Sequence, residues 1–275
     1  DPAHNRNQIE ELCREAAARQ VKVLVFPELC LTGYTCGDLF LQDTLLESAR
    51  RELSVLADHT KDLDLLIFAG LPWMREGKLY NVTAAVKDGQ ILGLVPKTAI
   101  PNYSEFYEAR HFAGGSRTPV MERVELADGM TDFVPMGTNL LFSCMNMEGL
   151  VIGAEICEDV WVPNPPGNRH ALAGATVIVN SSASDETTGK DVYRRELLGS
   201  QSARLVCGYV YADAGEGESS TDLVFAGHNL IYENGTLLKE AERFKGGLIF
   251  ADLDLERLRN ERRRLTTFGP IDSTS

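Results

Sequence analysis

Leu150-Val151-Ile152-Gly153-Ala154-Glu155-Ile156-Cys157-Glu158-Asp159 is the stretch on which the reading of this chain turns. Residues 150–156 are apolar and β-rich enough for a buried strand, and the run stops at a thiol followed by two carboxylates. A strand end holds a side chain rigidly while the N–H groups just beyond it stay free to face an oxyanion. Cys157 therefore stands where a nucleophile would be useful. Taken alone, such a cysteine is more often a buried structural thiol, so its setting has to be read with it.

Upstream the same pattern recurs twice. Val21-Lys22-Val23-Leu24-Val25-Phe26 predicts a short strand closed by Pro27, with Glu28 just past its end. Two β-rich stretches, 80–86 and 91–95, are joined through Lys87-Asp88-Gly89-Gln90, whose Asp-Gly step favours a tight hairpin turn, and this hairpin delivers Lys97. Separately these are a loop acid and a solvated lysine. Together, three residues at strand ends can converge on one chemistry. A thiol needs a base, which Glu28 supplies if desolvation raises its affinity for the proton. A cation at Lys97 lowers the energy of the thiolate and of a negative tetrahedral intermediate.

The remaining pattern is mixed α and β. Helices are expected over 7–19, 43–59, 170–173 and 191–205, and strands over 63–70, 140–144, 176–180, 206–211, 228–232 and 247–251. Asn234-Gly235 signals a second hairpin within 229–238. Two packed sheets covered by helices would bury all these strands. No linker rich in Pro, Gly or Ser divides the chain, so residues 1–275 are read as one layered α/β domain. Pro163-Asn164-Pro165-Pro166-Gly167 is read as a loop over a site, stiffened by its prolines and turned sharply at Gly167.

Composition narrows the partners. A formal charge of −13, from 40 acidic and 27 basic residues, repels nucleic acid and anionic membrane, which leaves a small neutral or zwitterionic substrate. Arg262-Arg263-Arg264 beside Glu261 reads as a solvated helix end or a subunit contact. The cysteines at 13, 30, 36, 144, 157 and 207 contain no CxxC pair, so reduced thiols in a cytoplasmic protein and no structural metal are expected. No run is long enough for a membrane span, and no secretory signal is evident.

Three segments carry a resemblance. Phe26-Pro27-Glu28-Leu29-Cys30-Leu31-Thr32-Gly33-Tyr34 continues to Gly37-Asp38-Leu39-Phe40. Pro96-Lys97-Thr98-Ala99-Ile100-Pro101-Asn102-Tyr103-Ser104-Glu105-Phe106-Tyr107-Glu108 is the second, and Glu155-Ile156-Cys157-Glu158-Asp159-Val160-Trp161 the third. In this order they resemble the nitrilase and amidase (carbon–nitrogen hydrolase) superfamily, and within it the glutaminase domains of glutamine-dependent NAD synthetases. The resemblance implies an α-β-β-α sandwich, with Glu28, Lys97 and Cys157 as catalytic residues and Glu105 as a second glutamate that orients Lys97. It further implies a glutamine pocket lined by Tyr34, Tyr103, Phe106, Glu158 and Ser184, with Lys190 where such domains carry an arginine. Glu158 would then meet an α-ammonium group and Lys190 or a nearby arginine an α-carboxylate.

Amide hydrolysis of this kind needs no cofactor; ATP and deamido-NAD would belong to a synthetase domain that this chain does not contain. Asp1-Pro2-Ala3-His4-Asn5 resembles a point just after the family's first strand, so that strand is expected to be missing from the chain. A homo-oligomer supplying ammonia to a synthetase is the implied setting. A stand-alone amidase, carbamoylase or nitrilase remains open, as does a catalytically silent assembly or ammonia-channelling module.

Overall fold

Apolar residues spaced three and four apart build the outer layer. The computed structural model describes residues 1–219 and 222–269. Helix α1 (Pro2–Ala18) is capped by the Asp1 carboxylate, which accepts from the Ala3 and His4 N–H groups, and it buries Ile9, Cys13 and Ala16. Helix α2 (Asp43–His59) buries Leu46, Ala49, Leu53 and Leu56 on one face. Both pack on a six-stranded mixed sheet of β1 (Val23–Val25), β2 (Leu66–Arg75), β3 (Lys78–Lys87), β4 (Gln90–Pro96), β5 (Val120–Glu125) and β6 (Thr131–Met136), in the order β1-β2-β3-β4-β6-β5.

A second six-stranded sheet holds β7 (Leu141–Ser143), β8 (Val151–Ile156), β9 (Val177–Ser182), β10 (Gly208–Asp213), β11 (Leu230–Glu233) and β12 (Thr236–Glu240), in reverse chain order across the sheet. Its outer face packs against α3 (Pro166–Leu172) and α4 (Lys190–Leu205) through Ala171, Ile178, Leu198, Leu205 and Tyr209. Phe68, Ala85 and Val95 of the first sheet meet Ile152, Ala154, Val177 and Val179 of the second. The result is the expected four-layer sandwich. In the central parallel strands β8, β9 and β10 nearly every residue is buried, and each starts with apolar or small residues and carries buried polar ones, Glu155, Asn180 to Ser182 and Asp213, toward its carboxyl end.

Asp88-Gly89 and Asn234-Gly235 take positive φ at both positions, as their tight hairpin turns require. Residues 247–251, expected as a strand, run without ladder partners into α5 (Leu255–Arg264). Their alternation has another cause: Leu248 and Phe250 pack against the core under α1 and α2. The β5–β6 hairpin differs from the sequence expectation because Pro135 interrupts one strand and Val124, Val134 and Met136 are its only buried apolar residues. Gly167 sits in the first turn of α3 rather than at a sharp bend; its missing side chain leaves room for Glu155, whose Oε2 would lie 3.0 Å from a Cβ there.

The arginine run does end a helix, α5, with Arg263 and Arg264 exposed, but Arg262 is half-buried. Its guanidinium donates to the carbonyls of Ala175, Leu205 and Val206, tying α5 to the end of α4. Among the described residues no helix is long and apolar enough to cross a membrane.

Candidate active site

Cys157 begins a 3₁₀ turn (Cys157–Val160) directly after β8, with φ at +42°. That region is sparsely populated for any residue with a Cβ and costs about 1–2 kcal/mol, so neighbours must hold the turn. The Cys157 N–H donates to Asn180 Oδ1 on β9 at 3.0 Å, and the Ile156 N–H donates to Asp159 Oδ2 at 3.0 Å. Asp159 also accepts from the Thr98 N–H at 3.0 Å and the Ala99 N–H at 2.7 Å. One carboxylate thus joins the Cys157 turn to the loop that leaves Lys97. Burial pushes Asp159 up to about 7, against the stabilising N–H groups of Ala99 and Ile156.

Glu28 is set by a close approach of backbones. Its N–H donates to the Ser182 carbonyl at 3.2 Å, Leu29 takes φ of +52°, and a Cβ on Gly70 of β2 would lie 2.3 Å from the Leu29 nitrogen. Only glycine fits at position 70. The Glu28 carboxylate then accepts from Asn81 Nδ2 at 2.6 Å, Lys97 Nζ at 2.7 Å and the Ala183 N–H at 2.9 Å.

Lys97, at the end of β4, has no solvent exposure. Its ammonium also donates to Glu108 Oε1 at 2.6 Å and Oε2 at 2.9 Å. Burial disfavours the charge, yet Glu108 and Glu28 outweigh it and hold Lys97 well above its ordinary value. Burial pushes Glu108 up as well, the neighbouring Glu28 adding to it against Lys97. Tyr34 donates its hydroxyl to Glu108 Oε1 at 2.8 Å.

Burial also raises the Cys157 thiol, and the Glu28 charge adds to the effect while Lys97 opposes it. Burial thus favours the neutral thiol over the thiolate at this position. Cys13, Cys30 and Cys207 are pushed up to about 12 by burial and do not line the cleft.

Above the thiol lies a cleft of about 410 Å3 lined by Tyr103, Glu105, Phe106, Glu158, Ser184 and Lys190, with Trp161 and Tyr193 at one side. The Tyr103 hydroxyl donates to Glu158 Oε1 at 2.8 Å. The Lys190 ammonium lies 5.6 Å from the Phe106 ring centre and 5.4 Å from that of Trp161, and it pairs with Asp185. Ser184 is fixed from below, its N–H donating to Asp213 Oδ1 at 2.8 Å and its hydroxyl accepting from Arg194 Nη2 at 3.2 Å.

The structure thus brings Glu28, Lys97 and Cys157 together and places Tyr103, Phe106, Glu158, Ser184 and Lys190 around the opening. Two assignments change. Glu105 is partly exposed on the cleft wall, and Glu108 is the second glutamate on Lys97, because a 3₁₀ turn (Glu108–Arg110) anchored by the Glu108 N–H on the Pro101 carbonyl points that side chain inward. Tyr34 is not among the residues lining the cleft: its ring packs edge-on against Phe225 and its hydroxyl serves Glu108. Asn81, Asp159 and Asn180 were not foreseen. Asp159 was visible in the third motif, but its backbone partners at 98 and 99 were not.

A thiol lining a cleft with a buried carboxylate and ammonium beside it, on two packed sheets between helical layers, is the equipment for attack on a carbon–nitrogen bond. The profile of the carbon–nitrogen hydrolase family matches residues 1–263, and this chain belongs to that family. It is 44% identical over 270 residues to a glutamine-dependent NAD(+) synthetase of Mycobacterium tuberculosis, an alignment covering 98% of this chain and 39% of that protein. A synthetase of the same name from Thermotoga maritima is 31% identical over 254 residues, 92% of this chain and 39% of that protein. The chain therefore spans about two fifths of the length of these curated relatives. Among solved structures, a glutamine-dependent NAD(+) synthetase from Cytophaga hutchinsonii superposes with a TM-score of 0.76 at 31% identity, over 87% of this chain and 38% of that one. A nitrilase-superfamily amidase from Nesterenkonia shares the fold, with a TM-score of 0.72 at 21% identity over 96% of this chain and 90% of its own.

Proposed function

We propose that this chain is a glutaminase domain that hydrolyses the side-chain amide of glutamine and supplies the ammonia to a synthetase domain of a larger protein. The observation that carries the proposal is the convergence of Glu28, Lys97 and Cys157 from three strand ends, with Cys157 lining the cleft and the Glu28–Lys97 pair buried beside it. Kinship with glutamine-dependent NAD(+) synthetases supports the choice of substrate.

In this reading Glu28 takes the Cys157 proton as Sγ attacks the amide carbon. The carbonyl electron pair moves onto oxygen, and the oxyanion meets Lys97 and the Glu158 N–H. The Cys157 N–H is already engaged with Asn180, while the start of a 3₁₀ turn leaves the next N–H free of intrahelical bonds. Protonated Glu28 gives its proton to the departing nitrogen, the C–N bond breaks and ammonia leaves. Glu28 then takes a proton from the water that attacks the thioester and returns it to sulfur, releasing glutamate. Each step uses only the chain's own residues and water.

The same proposal places residues 1–275 in one domain of a cytoplasmic homo-oligomer, with ATP and deamido-NAD bound by the synthetase domain. Its test is glutamate and ammonia release from L-glutamine beside a panel of other amides, carbamoyl compounds and nitriles. Turnover of another member of the panel at far higher kcat/KM would overturn the choice of glutamine. Failure of a glutamine-like electrophile to label Cys157 would favour a silent module.

A further inference from the structure

The charges around the cleft are unequal in a way that bears on how a substrate is selected. Glu105 and Glu158 line it, and Lys190 is the one cation among the described residues that do. That cation is already committed. Asp185, whose side chain is 3% exposed, pairs with it from behind. Asp185 is itself pinned: Arg194 Nη2 donates to its carbonyl at 3.1 Å, and it bridges to Phe225. Nor do the other nearby cations reach in. Arg194 is fully buried and shared among Glu186, Ser184 and His228, and Arg195 pairs with Asp191 and Glu240. Asp191, in the first turn of α4, offsets the positive potential at that helix's amino end.

An α-amino acid amide brings one ammonium and one carboxylate into this field. The ammonium meets Glu158, oriented by Tyr103, with Glu105 on the same wall. The carboxylate meets a lysine whose charge a buried partner has largely cancelled, and binding it there sets two carboxylates on one ammonium. The two ends of the substrate are therefore read with different strength.

We propose that the cleft selects its amide substrate by the ammonium group and gains little from the carboxylate, with Asp185 as the specificity-determining residue that keeps it so. The inference rests on amide hydrolysis at Cys157, and it widens the substrate class to primary amides that carry a cationic amine but no acid group.

The test uses two analogues of glutamine: 4-aminobutanamide, which lacks the carboxylate, and glutaramate, which lacks the ammonium. On the unmodified chain, 4-aminobutanamide keeps at least about a tenth of the kcat/KM of L-glutamine, and glutaramate falls at least about a hundredfold because it leaves the Glu158 carboxylate without a cationic partner and sets a second acid group beside it. Asp185→Asn keeps the side-chain shape and frees the Lys190 charge, so glutaramate improves at least about tenfold while 4-aminobutanamide stays within about threefold. Dissociation constants of both analogues for Cys157→Ala, measured by calorimetry, give the same ordering without turnover. Tighter or faster use of glutaramate than of 4-aminobutanamide by the unmodified chain overturns the proposal and needs no variant. No change for glutaramate in a folded Asp185→Asn variant overturns the role of Asp185. Absence of glutamine hydrolysis with the ordering of the two analogues intact would instead count against glutamine as substrate and leave this inference standing.

Discussion

The floor and the rim of the cleft are built by different rules. Beneath the floor, Glu28, Lys97 and Asp159 are at most 1% exposed, and each side chain makes three or more hydrogen bonds. On the rim, Tyr103 is 54% exposed and Glu158 half-buried, joined by a single hydrogen bond. Bond making tolerates little misplacement, and an error near 1 Å costs about a hundredfold. Recognition of a small flexible molecule tolerates more. Changes below should therefore alter rate by powers of ten, and changes above should alter affinity by small factors.

The largest break is Cys157→Ala, which should take amide hydrolysis down by at least about four powers of ten in a glutamate-release assay with the fold intact, since only one sulfur is lost. Cys30→Ala, outside the cleft, should stay within about threefold of the parent in the same assay. Lys97→Met keeps much of the side-chain volume but no charge, so acyl-enzyme formation should slow by two to four powers of ten, about 3–5 kcal/mol in the transition state. A full burst of thioester in that variant would refute charge stabilisation by Lys97.

Glu108 against Glu105 sharpens the contrast within one short segment. Glu108→Gln leaves the ammonium with a weaker partner and should lower kcat about a hundredfold, whereas Glu105→Gln should change kcat less than about threefold. Equal losses would restore Glu105 to the floor. At the rim, Tyr103→Phe removes the hydroxyl on Glu158 and should raise KM about three- to tenfold with kcat nearly unchanged.

The smallest effect is on stability. Burial pushes Asp213 up to about 7, and its Oδ2 has no hydrogen-bond partner among the described residues. Its folded value lies above its unfolded one, so between roughly pH 4 and 7 the folded chain keeps a proton that the unfolded chain has released, and stability falls as pH rises. Thermal melts from pH 5 to 8 should show that decline in the parent and a flatter profile in Asp213→Asn. A steeper profile in the variant would be the wrong sign.

How far the sequence foretold this arrangement depends on whether the cause was local. Helix α2 keeps the bounds that its periodicity predicts, and the Asp-Gly and Asn-Gly turns fall where those dipeptides demand positive φ. Glu28, Lys97 and Cys157 were legible because each follows an apolar run that ends abruptly. Strand β2 begins and ends later than 63–70, since Pro72, Trp73 and Met74 continue a ladder that only the partner strand β3 reveals. Glu108 was hidden for a different reason. Residues 101–112 are irregular, with Ser104 at φ of +51°, so sequence spacing gives no face to count along. Asp159 acts on N–H groups brought close by the packing of the two sheets, and Asn81 and Asn180 on groups that strand pairing within one sheet brings beside them, and no local pattern marks such partners.

The left-handed backbone at Cys157 gives folding and catalysis opposite interests at one position. A glycine there would adopt φ of +42° without the strain that a Cβ brings, so Cys157→Gly should melt no lower than Cys157→Ala. A turn built for stability alone would do better without a Cβ at 157, so its strain is what the proposed attack by sulfur requires.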